Sequence, residues 1–214
     1  MSKESLAFDN ELRKQYPVIA GCDEVGRGCL AGPVITAVVV LPENIDLPYV
    51  HDSKKIKKSE MKYFAEDILK HALDVQIGVR TAKEIDETNI LQADKDAMTD
   101  SLKKLRIKPD LVIIDGDKKQ LLDIPTPQKT IIKGDAKSLT IGSASIVAKS
   151  IRDELMKHYA TLYPEFGFET NAGYGTVKHK QALLEYGITP IHRKTFAPIK
   201  NHEIEYKTYN TSLK

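Results

Sequence analysis

A chain of 214 residues, 41% hydrophobic and 29% charged, has the size and composition of one large soluble domain, or a domain with a small appendage, and can bury a sizeable core. Its net charge of +2 is too small to argue for a nucleic-acid partner, so any such case rests on where the charges sit: Lys54, Lys55, Lys57 and Lys58 crowd one short stretch, and basic residues outnumber acids from Lys178 onward. The opening MSKESLAFDN has no apolar signal core, the longest apolar run (34–41) is far short of a membrane span, and Cys22 and Cys29 form no CxxC or zinc spacing, so a reduced, cytoplasmic protein without membrane attachment is expected.

In chain order, residues 18–23 and 33–41 read as strands, the second apolar almost throughout, as when both faces are covered. Ser59 reads as the N-cap of a helix carrying Met61, Phe64, Ala65, Ile68 and Leu69. Val75, Ile77 and Val79 alternate with polar residues as in a half-buried strand, and a helix pattern runs from Ile90 to Leu105, stopped by Pro109. DLVIIDGD (110–117) is a short buried strand ending in acids, and KTIIKGD (129–135) repeats the form. Ser138 opens a long helix, Thr176 caps another that Gly187 ends, and Thr189-Pro190 is read as starting a last short one. Strands followed by alternating helices and strands predict an α/β domain with a covered sheet of five strands. The expected organisation is an extension (1–17), a catalytic domain with a helical C-terminal part (18–198) and a tail (199–214).

Three apolar runs end in an acid: Asp23, Asp115 and Asp135. Open α/β sheets bind ligands at the carboxyl ends of their strands, so acids there converge. Two carboxylates about 4 Å apart repel by roughly 4 kcal/mol at an effective dielectric of about 20. A hard divalent cation removes that penalty, and oxygen ligands without His or Cys favour magnesium or manganese over zinc. Any one of these acids is also explained as a turn residue or helix cap, and Asp117 is read as a turn acid. What raises the joint case is the doublet Asp23-Glu24, followed by Gly26-Arg27-Gly28. A straight strand sends neighbouring side chains to opposite faces, so both acids serve one site only if the chain bends, which the glycines permit. The Gly-Arg-Gly segment taken alone is equally a hairpin turn.

The stretch CDEVGRGCLAGPV resembles the opening motif of type 2 ribonucleases H, specifically bacterial ribonuclease HII. The likeness continues in DSKK (52–55), NILQA (89–93), VIIDGD (112–117), KGDAKS (133–138), SASIVAKSIRDELM (143–156), GYGT (173–176) and TPIHRKTF (189–196), over roughly residues 18–198 and in the family's order. It implies a ribonuclease H-like fold, a five-stranded mixed sheet of order 3-2-1-4-5 flanked by helices. It implies an endonuclease that hydrolyses RNA in RNA–DNA hybrids and 5′ of ribonucleotides embedded in duplex DNA, as in ribonucleotide excision, leaving 5′-phosphate and 3′-hydroxyl ends. Asp23, Glu24, Asp115 and Asp135 would hold two divalent ions, Mg2+ or Mn2+.

By the same resemblance, the backbone of Gly26, Arg27 and Gly28 would contact the ribose 2′-hydroxyl, and Tyr174 would stack on the sugar of the following deoxynucleotide. Without the resemblance Tyr174 is an ordinary turn residue. The related ribonuclease HIII type carries Gly-Lys-Gly, lacks this tyrosine and has an extra N-terminal domain, so type HII is the expected assignment. Lys54, Lys55, Ser143 and Lys149 are candidate substrate contacts. Ser145 reads as packing, Arg152 with Asp153 as a helix-surface pair, and His179, His192 and Arg193 as facing nucleic acid or not with equal weight. Cys29 stands where the family commonly has proline, and Gly142 and Ser143 where alanines are usual. No clamp-binding QxxLxxFF-like pattern follows Pro198, and a monomer is expected. The acids alone also fit another nuclease or nucleotidyl transferase, such as a resolvase-like enzyme, which would leave Arg27 and Tyr174 without a role. A hybrid-binding protein without turnover would be expected to have lost an acid, and all four are present.

Overall fold

The computed structural model describes residues 2–50, 56–201 and 209. It divides into two units, one drawn from Met1–Val25, Ile35–Val79 and Asp94–Ser150, the other from Gly26–Val34, Arg80–Ala93 and Ile151–Lys214.

The first unit holds a five-stranded mixed sheet in the order β3-β2-β1-β4-β5. Its strands are β1 (Ile19–Val25), β2 (Val34–Val40), β3 (Asp74–Arg80), β4 (Leu111–Asp115) and β5 (Gln128–Ile131). β1 pairs antiparallel with β2 and parallel with β4, and β4 pairs parallel with β5. Strand alternation divides β1 between two cores. Ala20 and Cys22 pack with Val38, Val40, Val112, Ile114 and with Met98 of helix α4 (Ile90–Lys104). Ile19 packs with Leu111, Ile113 and with Ile141 of helix α6 (Leu139–Leu162). Because both faces are covered, β2 is buried at every position, and β4 is apolar up to its terminal acid.

Helix α6 lies tight against β1. A Cβ placed on Gly21 would stand 2.7 Å from the backbone N of Ile141 and 2.7 Å from the backbone C of Thr140. Helix α1 (Ser2–Arg13) caps the same helix from outside. The buried Asp9 carboxylate accepts from the Thr140 N–H at 2.8 Å and the Thr140 hydroxyl at 2.7 Å, satisfying an N-terminal amide that α6 itself cannot. Ser138 accepts from the Ile141 N–H and caps α6 as expected.

The structure departs from the sequence expectation at several elements. Helix α2 (Lys58–His71) starts one residue before Ser59, with Lys57 at the cap position and no side-chain cap bond. In β3 the polar Asp74 is buried and Val79 is exposed, because the Asp74 carboxylate accepts from the backbone amides of Arg106 and Ile107. Helix α3 (Ala82–Glu87) is too short for apolar periodicity to announce it and rests on a reciprocal Thr81–Glu84 capping box. Strand β5 stops at Ile131, Lys133 adopts a left-handed conformation, and Asp135 sits on the short helix α5 (Gly134–Lys137) rather than on a strand end.

The second unit packs Leu30, Ala31, Met156, Phe166, Phe168, Ala182, Leu183 and Ile199 into one core. Helix α7 (Phe168–Asn171) and helix α8 (Val177–Tyr186) flank the loop that carries Tyr174. Thr176 caps α8 and Gly187 ends it, as the sequence predicts. No helix starts at Thr189-Pro190. There the Thr189 N–H donates to His192 Nδ1, and His192 forms a bridge with Ala31. No helix among the described residues is long and apolar enough to cross a membrane.

The contact of Gly21 with α6 generates a prediction. Gly21→Ala should lower the urea unfolding free energy by about 1–3 kcal/mol, the cost of overpacking a close contact; an unchanged midpoint would show that the helix does not press on the strand.

Candidate active site

β1 runs on through the acid doublet to Val25 instead of bending before it. Asp23 therefore shares the α6 face of the sheet with Ile19; Glu24 follows at the end of the strand, where the chain turns at Gly26 (φ +94°), and its charge reaches the Asp23 carboxyl. The parallel register that pairs Cys22 with Ile114 makes Asp23 and Asp115 neighbours on one face. Asp23 is buried and Asp115 half-buried.

The electrostatics follow from that register. Burial raises the Asp23 carboxyl well above the usual carboxylate range, and the charges of Glu24 and then Asp115 raise it further. A hydrogen bond from Ser145 and one from the Glu24 N–H, at 2.7 Å, act in the opposite sense. The neighbouring Cys22 thiol is also pushed up, by burial and by the charges of Asp23, Asp94 and Glu24. Asp115 Oδ1 accepts from the backbone N–H of Gly134, so the first residue of α5 is tied to β4 and Asp135 follows directly on the same helix.

These residues fit a hard divalent cation: the donors are all oxygen, they lie on or next to neighbouring strands, and their mutual repulsion is registered on Asp23. Among the described residues, no three His, Cys, Asp or Glu side chains form a ready-made coordination cluster. In this arrangement the Asp23 and Asp115 oxygens turn toward protein donors, the Glu24 and Gly134 amides and Ser145.

Lys54 and Lys55 lie outside the described residues. Ser143 is fully buried and donates to Leu139 O at 2.8 Å, whereas Ser145, read from sequence as packing, is the serine that reaches Asp23. Lys149 is half-buried on α6.

In the second unit, Gly26 is buried with φ +94°, Arg27 is half-buried and Gly28 is exposed. Tyr174 is 48% exposed. Its loop is fixed to the turn segment by the Leu30 N–H, which donates to Gly173 O at 2.9 Å. A Cβ on Gly173 would meet Ala31 O at 2.3 Å, so only glycine lets the two backbones approach.

Four polar residues read as surface or undecided are interior. Arg152 and Arg193 are 1% and 0% exposed, and each binds several backbone carbonyls. His179 and His192 are buried with their Nε2 atoms 2.9 Å apart. One tautomer pattern satisfies the chain. Thr189 N–H donates to His192 Nδ1, His192 Nε2–H donates to His179 Nε2, and His179 Nδ1–H donates to Tyr174 O. Burial and the neighbouring His179 lower His192 to about 3, so the pair is neutral and serves to hold the Tyr174 loop. The sequence carried a signal for Arg152: it falls four residues after Ala148 and eight after Ala144, both buried on α6.

Asp23 generates a prediction for the metal-free protein. Its folded-state carboxyl is raised, so the stabilisation it gives is complete at pH values below its ordinary range and is lost as pH rises through the raised value. Asp23→Asn, which stays neutral, should therefore be more stable than the parent in EDTA at neutral pH, with the difference vanishing in acid. Urea unfolding across pH checks this, and a destabilised variant at neutral pH would contradict it.

The family model for ribonuclease HII matches residues 20–199 of this chain. Curated proteins named ribonuclease HII are similar to it: one from Lactobacillus helveticus is 46% identical over 92% of this chain and 78% of its own length, and one from Enterococcus faecalis is 48% identical over 93% and 77%. Among solved structures, the ribonuclease H2 of Pyrococcus horikoshii OT3 is 29% identical with a TM-score of 0.77, covering 86% of this chain and 96% of that one. A Bst-RNase HIII structure in complex with Mn2+ shares the fold at 15% identity and a TM-score of 0.60, covering 86% and 68%. Together these matches place the chain in the ribonuclease HII family, as an enzyme that hydrolyses RNA within RNA–DNA hybrids.

Proposed function

We propose that Asp23, Glu24, Asp115 and Asp135 are the catalytic acids and that they hold two divalent cations, magnesium or manganese. The family's divalent-metal dependence agrees with this. The single observation that carries the proposal is the pairing of Asp23 and Asp115 on neighbouring parallel strands, with Asp23 raised by burial and by acid charges on both sides. When bound, the cations would acidify the attacking water and stabilise the departing oxygen.

The reaction is in-line hydrolysis of a phosphodiester. Water adds to phosphorus, the bond from phosphorus to the 3′-oxygen breaks, and that oxygen takes up a proton. The products are a 5′-phosphate and a 3′-hydroxyl. The acids would hold the cations against the reacting phosphate, and Ser145 steadies Asp23 through its hydrogen bond.

Substrate choice is assigned to the turn and the tyrosine. The backbone of Gly26, Arg27 and Gly28 reads the 2′-hydroxyl, the group that distinguishes RNA from DNA at a given position. The exposed Tyr174 ring stacks on the sugar of the next deoxynucleotide, so a ribonucleotide followed by deoxynucleotide is accepted. Substrates are therefore RNA–DNA hybrids and DNA duplexes with embedded ribonucleotides, cut on the 5′ side of the ribonucleotide. A single chain is the proposed active unit, with residues 18–198 carrying the activity.

The test uses a DNA duplex with one ribonucleotide beside the same duplex in all-DNA form. The parent should cut only the first, and Asp115→Asn should reduce cleavage by several orders of magnitude while still binding the duplex. Near-parental cleavage by Asp115→Asn would remove Asp115 from the chemistry.

A further inference from the structure

Segment Gly26–Val34 packs Leu30 and Ala31 into the core of the second unit, but Gly26, Gly28 and Gly32 have no side chain to fix the backbone of the turn. The groups that define it are two guanidinium ions. Arg193 donates from Nη1 to Arg27 O at 2.8 Å, from Nη2 to Gly26 O at 2.6 Å and to Gly32 O at 2.9 Å, and from Nε to Gly32 O at 3.0 Å. Arg152 donates from Nε to Pro33 O at 3.0 Å, from Nη2 to Ala31 O at 3.1 Å, and from Nη1 to Ala172 O at 2.8 Å, just before the Tyr174 loop. The stretch that carries Arg193 is itself anchored on α3. The Asp86 carboxylate accepts from the Lys194 N–H at 2.8 Å, the Thr195 N–H at 3.0 Å and the Thr195 hydroxyl at 2.6 Å.

A trans peptide is planar and its N–H points opposite to its C=O. The N–H on the same peptide as Arg27 O is that of Gly28. With Arg27 O drawn inward onto the buried guanidinium, the Gly28 N–H faces the other way, and Gly28 is exposed. A second observation points to a ligand there. Gly28 does not have a positive φ, and a Cβ on it would meet nothing closer than Tyr174 Cε1 at 3.9 Å. The fold does not require glycine at 28, so the absence of a side chain serves whatever approaches that amide.

We infer that Arg193 is a positioning residue for substrate discrimination: by binding the carbonyls of Gly26, Arg27 and Gly32 it aims the Gly28 amide at the substrate's 2′-hydroxyl. This rests on the reading, given above, that the turn contacts that hydroxyl. Arg193 does not touch the substrate; it acts through the peptide. Its fork geometry is essential, because three carbonyls in different directions are held at once. The compact ammonium of lysine cannot reproduce that.

The experiment compares, in magnesium, the KM for a duplex with one ribonucleotide and the inhibition constant of the identical all-DNA duplex. Their ratio measures discrimination by one hydroxyl group and does not depend on how much of a preparation is folded, which appears in kcat. The parent should prefer the ribonucleotide duplex. Arg193→Lys should lower the ratio about tenfold, the effect of losing one well-aimed hydrogen bond. In a Gly28→Ala background, which fits the fold but obstructs the amide, Arg193→Lys should have almost no further effect on the ratio, as for two residues acting through one group.

A parental ratio kept by Arg193→Lys, or effects of the two substitutions that simply add, would overturn the inference while leaving the 2′-hydroxyl reading intact. A parental enzyme with a ratio near one would overturn that reading, and this inference with it, before any variant is made. Should Arg193→Lys give too little folded protein to assay, Arg193→Gln provides the same comparison with the charge removed.

Discussion

Parallel pairing of β1 with β4 brings Asp23 and Asp115 together on one face of the sheet, and most of the site depends on that juxtaposition. Hydrophobic burial drives the pairing, since every residue of β4 before Asp115 is buried. The core thus imposes an electrostatic conflict at its own margin. Asp23 registers the conflict as a carboxyl held well above its ordinary range by burial and by two neighbouring acids. The fold accepts local instability where chemistry requires it, a pattern common to sites that must bind a cation or a reacting group. The backbone amides of Glu24 and Gly134 and the hydroxyl of Ser145 moderate the conflict by donating to the two carboxylates.

The second unit solves a different problem with the opposite charge. Side-chain packing holds Leu30 and Ala31, while Arg152 and Arg193 hold the carbonyls of the segment from inside. Each guanidinium offers five donors in a rigid plane, and carbonyl dipoles can satisfy a buried cation when enough of them converge. Burial lowers Arg193 to about 10, still far above neutral pH, so its charge and all its donors remain. The neutral His179–His192 pair adds a further bond, to Tyr174 O, through a single consistent tautomer pattern. Recognition surfaces made of backbone need such internal scaffolding, because a peptide group is only as well aimed as its neighbours hold it.

Much of the fold was legible. The apolar runs of β2 and β4, the Ser138 and Thr176 caps and the Gly187 stop are local signals with local causes, and the motif order carried the sheet order with it. Other features were hidden because their causes are tertiary. Asp9 looks like a surface helix residue until Thr140, far along the chain, donates to it. Pattern assigns Ser145 to packing and Ser143 to the substrate, and the position of α6 over β1 reverses this: Ser143 bonds its own helix and Ser145 reaches Asp23. Pattern assigns Arg152 outward and leaves Arg193 and the two histidines undecided; partners from distant segments make their burial tolerable. Apolar runs ending in acids predict strand ends at Asp23, Asp115 and Asp135; Asp135 instead lies on a short helix, and β1 continues through Glu24.

A divalent ion held as proposed between Asp23 and Asp115 would relieve the repulsion that raises the Asp23 carboxyl. Calorimetric titration of manganese into the chelator-treated protein, with thermal unfolding followed in parallel, measures this directly. Saturable binding with a rise in unfolding temperature, both lost in a variant lacking the Asp23 and Asp115 charges, is the predicted result. Binding and stabilisation that persist unchanged in that variant would contradict it.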